Sequence, residues 1–102
     1  MAEHNFRPLL AHYPALIEDM PNTFTSHQFI IQLARLYQAL YVRALYAYRR
    51  LPTPENPTPF QIVHGILAKH LNNFPDFVRY VRHVPSTDIF KQDETCAEWQ
   101  KV

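Results

Sequence analysis

Six histidines, one cysteine and a few carboxylates are the residues of this chain suited to chemistry. A metal site would need them clustered at ligand spacing. His64 and His70 lie in one segment, but six positions apart they do not share a helix face, and no His-Glu-x-x-His pattern occurs. His4, His12, His27 and His83 are scattered. We expect surface and boundary histidines and no metal ligand.

Nucleophilic catalysis would need Cys96 or Ser86 beside a histidine, and neither lies in a nucleophile turn. Glu18–Asp19 and Asp93–Glu94 are neighbours in sequence, so neither pair is set across a cleft for acid–base work. Gly65 is the only glycine against nine prolines, which excludes the glycine-rich phosphate loops of Walker and dinucleotide type. The expectation is a protein that is not an enzyme, with no catalytic residue and no cofactor.

A chain of 102 residues fits one domain, and 47% hydrophobic content supplies a core. A net charge of +1 argues against strong non-specific attraction to nucleic acid or anionic membrane, while a local basic face stays open. With Cys96 alone there is no internal disulfide, and a short chain with one thiol reads as cytoplasmic. Neither a signal pattern nor a membrane-spanning run is found, so no membrane association is expected.

Two helix starts are well marked. Thr25 as N-cap with Gln28 three residues on forms a capping box, flanked by Phe24 and Phe29 as a hydrophobic staple. Thr58, Pro59 and Gln61 repeat the device, with proline at the first helical position, where its missing N–H costs nothing. These predict helices over about 26–50 and 59–72. The proline-rich stretch 51–59 between them reads as a stiff connector. A broken helix is expected over about 8–19, interrupted near Pro14.

Beyond Asn73, the segment 75–83 reads as a short helix by the spacing of Phe77, Val81 and Val84, although its valines and its alternation also fit a strand. Residues 85–102 read as a tail or a short β-hairpin. The expected fold is therefore mainly α: three to four helices with a C-terminal extended segment or hairpin.

The stretch "RLYQALYVRALYAYRR", residues 35–50, holds four tyrosines and four arginines. On a helical wheel Phe29, Leu33, Leu36, Leu40, Ala44 and Ala47 form the core face, flanked by Ile30, Tyr37, Tyr41 and Tyr48. The back face mixes Ile31, Val42 and Tyr46 with Arg35 and Arg49. Either the N-terminal helix or C-terminal tail covers it, or a partner does, since Tyr and Arg are favoured at interface centres.

Gly65 lines up with Gln61, Ala68 and Asn72 as a strip of small or polar residues, suited to close approach of a neighbouring helix or a phosphate chain. A helix over 59–72, a turn, and a short helix with Arg79, Arg82 and His83 outward resembles a helix-turn-helix. With a hairpin after it, residues 58–102 resemble a winged-helix domain, although the turn lacks the glycine such turns often contain. The leading expectation is a non-catalytic protein-interaction module, homodimeric through Ile31, Arg35, Val42, Tyr46 and Arg49. The alternative is a nucleic-acid binder using Lys69, Arg79, Arg82 and His83.

Overall fold

A computed structural model describes residues 5–50, 58–87 and 93–102. Prolines set the first two helices. Pro8 and Pro14 each stand in a first turn, of α1 (Arg7–Leu10) and α2 (Tyr13–Asp19), where a missing N–H breaks no helical bond. Strand β1 (Thr23–Thr25) then runs directly into α3 (Ser26–Leu36). The capping box closes that junction: Gln28 N–H donates to Thr25 Oγ1 at 3.2 Å, and Thr25 N–H donates to Gln28 Oε1 at 2.9 Å.

The helix expected over 26–50 is two helices. The backbone leaves helical geometry at Tyr37 (φ −124°, ψ 53°) and resumes as α4 (Gln38–Ala47). Neither proline nor glycine marks the break. It is accompanied by stacking of the Tyr37 ring on His12, with centroids 3.9 Å apart, and by Gln38 Nε2 donating to the freed Arg35 carbonyl at 3.1 Å. Leu36, assigned to the core face by a continuous wheel, is 59% exposed at the end of α3. Ala47, assigned to the same face, is also exposed.

Thr58 caps α5 (Pro59–His70), its Oγ1 accepting from Gln61 N–H at 3.2 Å, and a 3-10 turn over Leu71–Asn73 ends the helix. The segment expected as a helix over 75–83 is instead part of strand β2 (Val78–Thr87), paired antiparallel with β3 (Asp93–Lys101). Long-range pairing decides here. The β-branched Val78, Val81 and Val84 suit a pleated surface, and nine cross-strand residue pairs outweigh a weak local helical pattern. A bulge at Val81 interrupts the ladder between the Tyr80–Trp99 and Arg82–Glu98 pairs.

β3 also pairs with β1, so the sheet order is β1-β3-β2. With 55% of the described residues in helix and 26% in strand, the fold is mixed α/β rather than mainly α. The expected connector over 51–59 falls outside the described residues except for Thr58 and Pro59, and residues 88–92 of the expected tail or hairpin fall outside them too.

The core lies between the helices and the sheet. Phe24, Phe29, Leu33, Val63, Leu67, Leu71 and Trp99 are buried together around Tyr13. The Tyr13 hydroxyl donates to the Leu67 carbonyl at 2.7 Å, tying α2 to α5. Tyr41 and Ala44 are the buried residues of α4.

Candidate functional site

A groove of about 1000 Å³ opens between α5, the start of α3 and the β2–β3 hairpin. α5 contributes Phe60, Gln61, His64, Gly65, Ala68 and Lys69, whose spacing of mostly three and four residues keeps them on one side of the helix, and the 3-10 turn after it adds Asn72. Tyr80, His83, Thr95, Ala97 and Trp99 line it from the sheet, and Ser26, His27 and Ile30 from α3. Among the described residues, the strip of Gln61, Gly65, Ala68 and Asn72 thus lines the groove rather than packing under a neighbouring helix. A Cβ built on Gly65 would meet nothing within 4 Å.

The groove's polar groups are held by short contacts. Trp99 Nε1–H donates to Ser26 Oγ at 2.9 Å, fixing β3 to the first residue of α3. Tyr41 Oη lies 2.6 Å from His64 Nε2. Burial pushes the Tyr41 hydroxyl up to about 12, so it stays protonated at neutral pH. Tyr80 Oη lies 2.6 Å from His83 Nδ1 within β2. No buried side-chain nitrogen or oxygen among the described residues lacks a partner.

Ser86, His27 and Glu94 have the residue types of a nucleophile–base–acid relay. His27 Nδ1 is 3.0 Å from Ser86 Oγ, but its Nε2 is 3.8 Å from Glu94 Oε2, beyond hydrogen-bond reach. The carboxylate therefore does not orient the ring as a triad requires. What these contacts do is fasten the β2–β3 hairpin to the start of α3: Ser86 and Glu94 are cross-strand partners, and the half-exposed Glu94 leaves His27 beneath it. Cys96 is buried. Among the described residues no three His, Cys, Asp or Glu side chains are grouped to hold a metal ion.

The residues picked from sequence for nucleic-acid contact divide. Lys69 and His83 both line the groove. Arg79 and Arg82 sit on a strand, not on an outward helix, and do not line it. Arg79 Nη2 donates to Gln100 Oε1 at 2.6 Å, and Arg82 Nε stands 3.3 Å from Glu98 Oε1. The back-face set divides as well. Arg35, Val42, Tyr46 and Arg49 are exposed, with Val42 at 58% and Tyr46 at 64%. Ile31 is partly buried and lies on α3, across the break at Tyr37.

Sequence reasoning passed over Ser26, His27, Tyr80 and Trp99 as site residues, because strand pairing over long separations brings them to the groove. The single tryptophan was the one available signal, a large ring with a donor that needs a partner when buried. No helix among the described residues is long and apolar enough to cross a membrane. Compared with protein-family models, curated proteins and solved structures, the chain matches none.

Proposed function

We propose that the domain is a non-catalytic module that binds duplex nucleic acid through the outward side of α5, with the β2–β3 hairpin beside it. The observation that carries this reading is the groove-lining strip of α5, where a Cβ on Gly65 would meet nothing within 4 Å and the hairpin stands alongside. A single helix fits the major groove of B-form DNA, which is about 12 Å wide. Gln61 and Asn72 supply amide donors and acceptors for base edges, and Lys69 supplies a cation for phosphate. A capped helix followed by a hairpin resembles the helix-and-wing arrangement of winged-helix domains. The lone, buried thiol suits a reducing cytoplasm, where we place the protein.

A net charge of +1 makes the affinity weak, so binding is to be measured by fluorescence anisotropy on a short duplex from low salt upward. Lys69→Ala should weaken binding and reduce the salt slope by about one. Gly65→Leu should weaken binding without loss of stability, because the added side chain fills the approach path rather than the core. Arg79→Ala with Arg82→Ala should change binding little. Absence of binding at low salt, or equal binding by Lys69→Ala and Gly65→Leu, overturns the reading.

A further inference from the structure

α4 carries a second exposed surface, on the far side of the molecule's most basic segment from the core. Ala39, Val42, Arg43 and Tyr46 recur at spacings of three, one and three residues, all exposed, opposite the buried Tyr41 and Ala44. Leu36, 59% exposed at the end of α3, stands next to it in sequence. Between Ser26 and Arg50 there are four arginines and no aspartate or glutamate.

One of those arginines is already held in place. The Arg49 guanidinium lies 3.7 Å from the centroid of the Tyr46 ring, and its Nη1 donates to the Tyr46 carbonyl at 2.8 Å. That contact uses one of five donors and leaves a planar cation beside an exposed aromatic, with less side-chain freedom to lose on binding. Exposed Val42 and Tyr46 beside Arg43 and Arg49, in a stretch 26–50 without aspartate or glutamate, is the composition of an interface centre.

We propose that this face of α4 docks an acidic amphipathic helix of another protein. Charge selects the occupant. A second copy would bring the same arginine-bearing, acid-free face and has no carboxylate there to offer, so like charges would meet. A helix with apolar residues at three- and four-residue spacing, flanked by Glu or Asp, meets Val42 and Tyr46 with its apolar stripe and the arginines with its carboxylates. α4 has ten residues, so about 15 Å of helix is presented, a little under three turns of such a partner. This proposal does not depend on the α5 groove, which lies on other elements.

The test uses the full chain and two synthetic helical peptides, one with leucines at i, i+3, i+4 and i+7 flanked by glutamates, the other with glutamine in place of every glutamate. By fluorescence anisotropy the glutamate peptide should bind at least tenfold more tightly than the glutamine peptide. Val42→Ser with Arg43→Glu should weaken it at least tenfold, with helical content by circular dichroism and duplex binding unchanged. Failure of the glutamate peptide to bind, or equal affinity of the two peptides, overturns the proposal. So does displacement of the peptide by short duplex DNA, which would make this a phosphate-binding face. A dimeric solution mass that Val42→Ser with Arg43→Glu turns monomeric overturns it in favour of a second copy.

Discussion

Trp99 on β3 donates its indole N–H to the hydroxyl of Ser26, the first residue of α3, across 2.9 Å of buried interior. Both residues are almost fully buried, at 3% and 2% exposure, so water cannot replace either partner. The bond links the middle strand of the sheet to the helix that opens the groove.

Ser26→Ala should therefore destabilise the fold by about 1–3 kcal/mol, the cost of stranding a buried donor. Trp99→Phe removes the donor but also packing area, so the double variant should cost less than the sum of the two singles. Denaturant midpoints of the three variants measure this, and strict additivity would show that the bond contributes nothing.

Thr25→Ala and Thr58→Ala each remove the acceptor of an N-terminal helix donor, from Gln28 and Gln61 respectively. Each substitution should cost about 1 kcal/mol. Unchanged denaturant midpoints would mean that water satisfies those donors equally well.

Gly65 sits inside α5 with open space where a Cβ would go. Gly65→Ala should raise stability by about 1 kcal/mol, the helix-propensity difference, with no clash to offset it. A lower melting temperature would mean that the strip is covered in solution.

Burial pushes the Tyr41 hydroxyl up to about 12 and raises Tyr13 further. In the unfolded chain tyrosine ionises near ~10. Above that pH the unfolded state loses protons that the folded state keeps, so stability falls as pH rises through 10 toward 12, and below 10 neither group contributes. Tyr41→Phe should flatten that decline, read from urea midpoints across the alkaline range.

His70 moves the opposite way, its pKa lowered by burial against Phe6, with Asn73 Nδ2 3.0 Å from its Nδ1. The unfolded chain then takes up a proton more readily, so stability is lost as pH falls below about 6.5 and regained above it. His70→Gln should reduce this acid sensitivity. An unaltered acid limb would place the sensitivity at another group.

The helix starts at Ser26 and Pro59 were legible because a cap is local: Thr25 and Gln28, or Thr58 and Gln61, sit within one turn of each other. The strip through Gly65 was legible too, although its neighbour was not. The break at Tyr37 left no local mark, since its ring finds His12 through the tertiary fold. β1 was missed because three residues, Thr23–Thr25, form a strand only when β3 lies beside them. Arg79 and Arg82 were misplaced for the same reason. A weak helical pattern over 75–83 lost to a partner strand far along the chain, and that pairing turned both arginines toward Gln100 and Glu98.

The bulge at Val81 gives β2 one residue more than its ladder needs. Threaded without that slack, the same sequence would slide by one place: Val81 would oppose Glu98, and Arg82 would take the position opposite Ala97 that His83 now holds. The groove wall would then carry a guanidinium in place of an imidazole. Deleting Val81 instead leaves Arg82 opposite Glu98 and His83 opposite Ala97. The strand can therefore be shortened by one residue at that point and keep the same side chains facing the groove, a tolerance to length change that its unbulged stretches lack.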